Sequence, residues 1–361
     1  MNANRSSVFL FAEPAVSGHR LSYVRLLATE ALRRGHSVHI ALPEGGTTSP
    51  EFGTHIADLA RDVTLQTLKR FSLAELAALT DRTGACRTVV TDGDALALEL
   101  ARTGRWSGRG KLSLLIMREN AQTDSLRVRM WAKNLAKKLV IRRAASTRNV
   151  SLAVLKSATW AGASRYPVAV DPVELICDQS DVDRLRHEWG LEDSTCWFGV
   201  LGAITARKNV PLLMESLADT AGKSAGLLVA GRIDPLLRPE IDAAASRLAD
   251  VGKRVVIVDR ILSDVELDAA VSSVNCLLLA HSNEGPSGLL GKAACCGTRV
   301  IASGARSLRA DIEGLPSLGQ WTELDRDAIR AAMQETLPIE AGKSVLQTNV
   351  DSFVRVMLAD D

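Results

Sequence analysis

The sequence is poor in aromatic residues, carries little net charge and has no long hydrophobic segment. Aromatic residues make up 4 % of the 361 residues, and 44 lysines and arginines stand against 42 aspartates and glutamates. The net charge of +2 gives no indication of nucleic-acid binding for the chain as a whole. No apolar run approaches the roughly 20 residues of a membrane-spanning helix. The run near the N-terminus ends at Glu13-Pro14, like a strand rather than a signal peptide.

Cysteine patterns typical of zinc or redox sites are also missing. The six cysteines include no Cys-x-x-Cys pair and no cluster with histidine at zinc-ligand spacing. Most of them lie in apolar segments, as buried thiols do. The fingerprint Gly-x-Gly-x-x-Gly does not follow the first predicted strand, which argues against an NAD- or FAD-dependent enzyme. We therefore expect a reduced, cytoplasmic protein.

Short apolar segments alternate with segments of helical periodicity along most of the chain. The apolar segments are continuous, which is typical of strands buried on both faces of a parallel sheet. The resulting βαβα succession in both halves indicates an α/β fold with two doubly wound domains. The predicted strands are Val8–Ala12, Ser37–Leu42, Thr88–Thr91, Leu112–Met117 and Leu152–Leu155, then Cys196–Ala203, Gly226–Gly231, Arg254–Asp259, Val274–Ala280 and Arg299–Ala302.

The boundary between the domains is predicted near Tyr166–Asp183, where Pro167 and Pro172 fall and the periodicity lapses. We assign residues 1–170 to a first Rossmann-like domain and residues 171–343 to a second. Residues 344–361 are predicted to hold a C-terminal helix over Ser344–Leu358, for which the first domain is a candidate packing surface.

Three segments at predicted strand ends carry residues suited to ligand binding. Ser17-Gly18 opens a helix, where a ligand can approach the backbone and free N–H groups can bind an anion. Arg207-Lys208 follows the first strand of the second half, and two adjacent cations there suit a diphosphate. A plain β-to-α turn and a solvated basic turn explain the same two patterns, and both alternatives stay open.

The third segment is the most specific of the three. A buried strand leads into Glu284, a Gly-rich turn with Gly285, Ser287 and Gly288 follows, and a helix then ends at Gly297. The Glu284 carboxylate can accept hydrogen bonds from sugar hydroxyls, and the N–H groups after Gly285 are predicted to face the same space. The alternative is a strand–loop–helix in which Glu284 complements a helix dipole.

The order and spacing of these segments resemble glycosyltransferases of the GT-B fold, family 4, over nearly the whole chain. This resemblance implies two Rossmann-like domains facing across a cleft, with an acceptor-binding domain at 1–170 and a nucleotide-sugar-binding domain at 171–343. It rests on Gly18, Gly35-His36-Ser37-Val38, Gly202, Arg207-Lys208-Asn209, Val229-Ala230-Gly231, Asp264, Glu266, Leu267 and Glu284.

The chain departs from the family at the end of the last motif. That motif usually consists of Glu, seven residues and a second Glu; Glu284 matches the first, and Lys292 stands in place of the second. In the family the second Glu holds ribose hydroxyls, whereas a lysine cannot accept a hydrogen bond. Pro286 also lacks an N–H group. Lys292 either meets a phosphate or points to solvent, and both interpretations stay open.

The resemblance implies transfer of a sugar from a nucleotide diphosphate to an acceptor hydroxyl, with retention and without a metal or another cofactor. Arg207, Lys208 and helix N-termini would neutralise the leaving diphosphate. The predicted catalytic residues are Glu284, Asp92 and Asp94. The predicted donor-binding residues are Gly18, Arg207, Lys208, Gly285, Ser287, Gly288 and Lys292, and the predicted acceptor-side residues are His19, Arg118 and Asn120.

Asp92 and Asp94 follow the strand Thr88–Thr91, at the end where a ligand is expected in a parallel sheet. Either carboxylate can orient an acceptor hydroxyl or contact the donor sugar. Asp94 fits equally well as the N-cap of the next helix.

Residues 101–150 are strongly basic, with thirteen lysines and arginines against Glu119 and Asp124. A helix is predicted over Leu126–Ala145, where Trp131, Leu135 and Leu139 recur every four residues. Such a basic amphipathic helix is typical of binding to an anionic membrane surface. The alternatives are a solvated helix with Trp131 in the core and a groove for an acidic partner. Among acidic partners, nucleic acid is the least expected. The cations are Arg127, Arg129, Lys133, Lys137, Lys138, Arg142 and Arg143.

Two further functions remain open at this stage. A GT-B protein that binds a partner or ligand without turnover is favoured by Lys292 and Pro286, whereas Glu284, Arg207 and Lys208 favour the enzyme. A sugar-nucleotide epimerase would need an acid/base set that the sequence does not single out.

Overall fold

Two parallel β-sheets organise the chain in the computed structural model. The structure describes residues 7–16, 20–119, 127–160, 162–221, 224–284, 287–337, 342–347 and 349–359, with the backbone alone for 127–131. Each sheet belongs to a separate compact unit. The first unit comprises Met1–Lys156, Gly162–Pro172 and Val350–Asp361, and the second comprises Ser157–Ala161 and Val173–Asn349.

The first unit contains a seven-stranded sheet whose strands all run parallel. Its strands are β1 (Val8–Ala12), β2 (Ser37–Pro43), β3 (Thr64–Leu68), β4 (Arg87–Val90), β5 (Lys111–Ile116), β6 (Val150–Lys156) and β7 (Val168–Val170). They are ordered β3-β2-β1-β4-β5-β6-β7. Its helices are α1 (Arg20–Arg33), α2 (Pro50–His55), α3 (Leu73–Thr83), α4 (Asp94–Thr103), α5 (Arg127–Ala145) and, from the end of the chain, α13 (Val350–Leu358).

The second unit contains a six-stranded parallel sheet in the order β10-β9-β8-β11-β12-β13. Its strands are β8 (Cys196–Leu201), β9 (Ala225–Ala230), β10 (Arg254–Val258), β11 (Cys276–His281), β12 (Arg299–Gly304) and β13 (Gly319–Thr322). Its helices are α6 (Gln179–Glu188), α7 (Val210–Ala218), α8 (Arg238–Asp250), α9 (Asp264–Ser273), α10 (Gly288–Cys296), α11 (Arg306–Glu313) and α12 (Arg326–Thr336).

Both faces of each sheet are covered by a hydrophobic core, which explains the continuous apolar strands. In β1, Phe9 and Phe11 point into one core while Leu10 points into the other. In β8, Trp197 and Phe198 divide between two cores in the same way. The predicted pair of doubly wound α/β units is thereby confirmed. Among the described residues, no helix has the length and apolar content needed to cross a membrane.

Three strands and the start of the last helix differ from the sequence prediction. The unpredicted strands β3, β7 and β13 all lie at sheet edges. The C-terminal helix begins at Val350, not at Ser344, because Val345 donates a backbone hydrogen bond to Ala294 and so lies against α10. Helix α13 itself packs in the first unit, where Phe353 contacts the ring of Tyr23.

Candidate functional site

Each sheet has one point where the chain changes direction of winding. In the first sheet this switch point lies between β1 and β4, and in the second it lies between β8 and β11. Ligands of open α/β sheets bind at the carboxyl ends of the strands at such points. Most of the residues singled out in the sequence follow, along the chain, one of these four strands, two of which belong to each unit.

In the second unit, the turn after β8 is fastened to the end of β11. A 3-10 turn over Ala206–Lys208 ends at Asn209, which has a positive φ of 51°. Asn209 donates a side-chain hydrogen bond to the carbonyl of Ala280 at 2.9 Å, and Ser282 N donates to the carbonyl of Arg207 at 3.0 Å. These bonds place Arg207 and Lys208 directly beside the strand that leads to Glu284.

Lys208 is a buried cation at this switch point. Its side chain is part of a residue only 4 % exposed, and its Nζ donates to the carbonyl of Leu201. No carboxylate among the described residues forms an ion pair with it. Burial lowers the pKa of Lys208 to about 7, and the charge of Arg207 acts in the same direction. An unneutralised ammonium group of this kind is stabilised when an anion binds.

His281, the last residue of β11, lies close to the same two cations. Burial lowers the pKa of His281 to about 3, and Lys208 and then Arg207 add to the effect. The imidazole is therefore neutral at pH 7 and can both donate and accept a hydrogen bond. Sequence reasoning missed His281, although its place at the end of an apolar strand was a usable signal.

Glu284 binds a helix N-terminus. Its two carboxylate oxygens accept hydrogen bonds from the backbone N–H groups of Arg306 at 3.0 Å and Ser307 at 2.9 Å. These are the first two residues of α11, so the carboxylate caps that helix. Ser287 is the N-cap of α10 without a side-chain capping bond, and Gly288 is the first residue of that helix. Gly285 and Pro286 lie outside the described residues.

Lys292 is partly buried and forms an ion pair with a buried carboxylate. Its Nζ contacts Asp268 of α9 and donates to the carbonyl of Glu174 at 2.8 Å. Asp268 is 0 % exposed and also accepts from Ile176 N at 2.9 Å. Burial raises the pKa of Asp268, whereas Lys292 lowers it. The interpretation that Lys292 points to solvent is wrong, because its ammonium group is the counter-ion of Asp268. The sequence feature that could have predicted this pair is an acid inside the apolar segment 267–271.

In the first unit, both predicted aspartates lie at the switch point with a cation nearby. Asp92 forms an ion pair with Arg20, the first residue of α1, at 2.7 Å. Asp94 is the first residue of α4 and lies 3.5 Å from Lys137 of α5, whereas Gly93 takes the N-cap position. Burial raises the pKa of Asp94; Lys137 and, more weakly, Arg118 oppose this.

Three predicted residues of this side, Gly18, His19 and Asn120, lie outside the described residues. Sequence reasoning also missed a buried acid here. Glu13 follows β1, is fully buried, and accepts hydrogen bonds from Thr91 Oγ1 at 2.6 Å and Ala15 N at 2.9 Å. An acid directly after the first strand was the available signal.

Helix α5 leaves apolar side chains in contact with water. Leu135 is 45 % and Leu139 is 55 % exposed, whereas Ile141 and Ala144 near its end are buried in the core. The exposed cations are Lys133, Lys138, Arg142 and Arg143, and Lys137 differs because it faces Asp94. The side chains of Arg127, Arg129 and Trp131 lie outside the described part of the chain.

No protein-family model matches the sequence, and no curated protein matches it significantly. Several solved structures are similar in fold. Sucrose-phosphate synthase from Thermosynechococcus elongatus has a TM-score of 0.65 at 17 % identity over 98 % of this chain and 94 % of that one. HepE from Anabaena, solved with UDP-glucose, has a TM-score of 0.67 at 13 % identity over 97 % and 95 %. A glycosyltransferase from Rickettsia africae has a TM-score of 0.66 at 10 % identity over 98 % and 94 %.

These similarities show that the chain has the GT-B fold, as the resemblance implied. At such low identities they show the fold alone. Within the ranges that the structure describes, no group of three or more His, Cys, Asp or Glu side chains is arranged to hold a metal ion.

Proposed function

We propose that this GT-B protein is a glycosyltransferase of the hexosyltransferase type, which moves a sugar from a nucleotide diphosphate to an acceptor hydroxyl. The observation that carries the proposal is Lys208: a buried ammonium group at the switch point, next to Arg207 and without a carboxylate partner among the described residues. A diphosphate supplies the missing negative charge. The similarity to HepE, which was solved with UDP-glucose, supports a UDP-sugar as the first donor to test.

In the proposed reaction, the bond between the anomeric carbon and the diphosphate oxygen breaks, and the acceptor oxygen forms a bond to that carbon. Negative charge then grows on the leaving diphosphate. Arg207, Lys208 and the N-terminus of α10 stabilise this charge more in the transition state than in the ground state, which lowers the barrier. We propose that these groups make a metal unnecessary and that transfer proceeds with retention, as the resemblance to family 4 implies.

We propose further that the acceptor side of the reaction lies at the switch point of the first unit. Arg20 fixes Asp92, and Lys137 lies beside Asp94, so both carboxylates are oriented at strand ends. Carboxylate oxygens accept hydrogen bonds from hydroxyl groups, which suits a sugar-like acceptor. The roles of Gly18, His19, Arg118 and Asn120 in binding remain predictions from the sequence.

A thermal-shift screen tests the donor assignment directly. We expect one of UDP, GDP, ADP, CMP and TDP at millimolar concentration to raise the melting temperature, because ligand at 100 times its Kd stabilises by about 2.7 kcal/mol. The double variant Arg207→Ala/Lys208→Ala should lose the shift. The control Arg247→Ala removes an exposed cation that pairs with Glu215 on the same unit, and it should keep the shift.

The screen also separates the enzyme from a non-catalytic GT-B protein. A nucleotide that shifts the melt but whose sugar derivatives are neither transferred nor hydrolysed would favour a binding protein. No shift from any nucleotide would contradict the donor assignment itself. Transfer that persists in excess EDTA would support the metal-free mechanism, and loss of transfer reversed by a divalent cation would contradict it.

We also propose that α5 binds an anionic membrane surface, which would make the protein peripheral on the cytoplasmic side. The exposed Leu135 and Leu139 supply an apolar stripe, and Lys138, Arg142 and Arg143 supply the charge. This combination is typical of helices that lie in the headgroup region. A membrane location would suit a lipid-linked acceptor.

Vesicle sedimentation tests the membrane proposal. Each cation near an anionic surface contributes about 1 kcal/mol, so Lys138→Gln/Arg142→Gln/Arg143→Gln should weaken binding to phosphatidylserine-containing vesicles roughly a hundredfold. The control triple variant Arg247→Gln/Arg326→Gln/Arg330→Gln removes three cations from the second unit and should bind normally. If the wild type binds anionic and neutral vesicles equally weakly, α5 is not a membrane helix. Binding of the same helix to RNA or DNA instead would assign the charge to another partner.

A further inference from the structure

Glu13 joins the two strands that form the switch point of the first unit. It is the residue directly after β1, and its side chain is entirely buried. One carboxylate oxygen is 2.6 Å from Thr91 Oγ1, directly after β4, and the other accepts from Ala15 N at 2.9 Å. A single side chain therefore ties the end of β4 to the turn that leaves β1.

A second link lies on the other side of that turn. Arg20, where α1 begins, pairs with Asp92, the neighbour of Thr91. Residues 17–19 lie in sequence between the two links, and they include the predicted ligand-binding Gly18 and His19. We propose that Glu13 is a positioning residue of the acceptor side, a buried clamp between β1 and β4 whose hydrogen-bond pattern depends on its proton. This inference rests on the proposed function, because it gives that side its geometry.

The surroundings of Glu13 bring the pKa of its carboxyl group close to neutral pH. Burial raises its pKa to about 7, although the hydrogen bonds from Thr91 and Ala15 lower it. Among the charged groups, Asp92 raises the pKa and Arg20 lowers it. Tyr23 also feels the charge of Glu13: it donates to Asp171 at 2.7 Å, and its own pKa is raised first by burial, then by Asp171 and by Glu13. When ionised, Glu13 accepts both hydrogen bonds; when protonated, it donates one to Thr91.

Two substitutions distinguish the role of the Glu13 hydrogen bonds from the role of its ionisation. Glu13→Gln can keep both links, since its amide oxygen accepts from Ala15 and its NH2 group donates to Thr91, but it cannot ionise. Thr91→Val removes one link and leaves the acid. The control Glu30→Gln lies on the surface of α1, where its carboxylate pairs with Arg33 and Arg34.

The first readout is stability against pH, and it needs no substrate. The pKa of Glu13 is higher in the folded chain, about 7, than the ordinary 4.5. Its contribution to stability is complete below about 4.5 and is lost as the pH rises through about 7. We expect the melting temperature of the wild type to fall relative to Glu13→Gln over that range. Parallel curves for the two proteins would overturn the proton part of the proposal.

The second readout is acceptor kinetics, which a purely structural residue would not change in this way. We expect Thr91→Val to raise the acceptor KM about tenfold while the nucleotide-induced thermal shift stays unchanged. Glu13→Gln should match the wild type below pH 7 and diverge from it above pH 7. Unchanged acceptor KM in Thr91→Val, or profiles that coincide at every pH, would overturn the positioning role.

The two proposals fail in different ways. If the wild type transfers no sugar, the proposed function fails, and Glu13 is then judged by amide hydrogen exchange at Ala15. We expect Thr91→Val to speed that exchange at least tenfold and Glu13→Gln to leave it within about twofold. Equal exchange in all three proteins would overturn the clamp itself.

Discussion

The two switch points occupy equivalent places in their sheets but bury opposite charges. Between β1 and β4 the buried group is the carboxyl of Glu13, and between β8 and β11 it is the ammonium of Lys208. Burial moves the pKa of both groups to about 7, one upward and one downward. Equivalent positions in the two sheets therefore hold buried ionisable groups of opposite sign, an acid in the first and a base in the second.

The difference in pairing is as informative as the difference in sign. At the first switch point, Glu13 has two hydrogen-bond donors and Asp92 has Arg20. At the second, the described residues give Lys208 the carbonyl of Leu201 and no carboxylate, although the same unit pairs Lys292 with Asp268. We therefore expect an incoming anion to be stabilised most at the second switch point. The proposed donor side on the second unit and acceptor side on the first rest on this difference.

The largest expected effect concerns the paired cation, Lys292. Lys292→Met leaves Asp268 buried without its counter-ion, which costs about 3–5 kcal/mol of unfolding free energy. Urea denaturation measures this loss. Because Lys292 has a structural partner, the affinity for the nucleotide that shifts the melt should change less than twofold. A large loss of affinity with unchanged stability would instead make Lys292 a ligand-binding group.

The double variant Lys292→Met/Asp268→Asn is the matched control for that result. It removes both charges and keeps a polar group that can still accept from Ile176 N. Most of the lost stability should return, since no charge is then left buried alone. Failure of the second change to restore stability would mean that the loss comes from packing rather than from charge.

Lys208, which has no carboxylate partner in the described part of the chain, gives the next largest effect. Lys208→Met should weaken nucleotide diphosphate binding about 10- to 150-fold, because a charge-assisted hydrogen bond contributes about 1.5–3 kcal/mol. The apoprotein should become more stable at pH 7, since a buried ammonium is removed. Isothermal titration and thermal melting measure the two effects, and Arg247→Met serves as the control.

The pH dependence of Lys208 has the opposite sign to that of Glu13. Its pKa falls from 10.5 to about 7 on folding, so the unfolded chain binds more protons between those values. Wild-type stability should therefore rise with pH across that range relative to Lys208→Met. A diphosphate favours the charged form, so its affinity should weaken as the pH rises above about 7. A flat affinity profile would contradict contact between Lys208 and the diphosphate.

How much of the fold could be predicted depended on burial. All ten predicted strands exist, because each has a continuous apolar sequence, as strands covered on both faces usually do. The partly exposed edge strand β10 was predicted for the same reason, since its sequence is Arg-Val-Val-Ile-Val. The edge strands β3, β7 and β13 have partly exposed or very short sequences, such as Gly319–Thr322, and lack that signature.

The site followed a different rule. Residues at strand ends could be located from the sequence, since topology fixes where those ends meet. Their partners could not, because Asp268 lies 24 residues from Lys292, and Arg306 lies 22 residues from Glu284. Glu13 and His281 also lie at strand ends, but they were not recognised as functional candidates because the burial that shifts their pKa values is a tertiary property.

A smaller effect on stability is expected from Glu284, which follows β11 at the switch point of the second unit. Glu284→Ala removes the cap of α11, which should cost about 1 kcal/mol of unfolding free energy. If Glu284 also contacts the donor sugar, transfer should stop although the nucleotide still binds. Unchanged turnover with reduced stability would leave Glu284 with its capping role alone. Glu313→Ala, at the other end of α11, is the control for nonspecific loss of helix charge.

The smallest expected effect on stability concerns Arg20, at the switch point of the first unit. Arg20→Ala removes the ion pair with Asp92, whose two side chains are partly exposed, so the stability loss should be about 0–1 kcal/mol. The effect on acceptor KM should be larger than this suggests, because the second link beside residues 17–19 is lost while Glu13 remains. Melting curves and acceptor titrations on one preparation measure both. An unchanged KM would mean that the Glu13–Thr91 hydrogen bond alone orders this switch point. Each switch point would then depend on one buried group, Glu13 in the first sheet and Lys208 in the second.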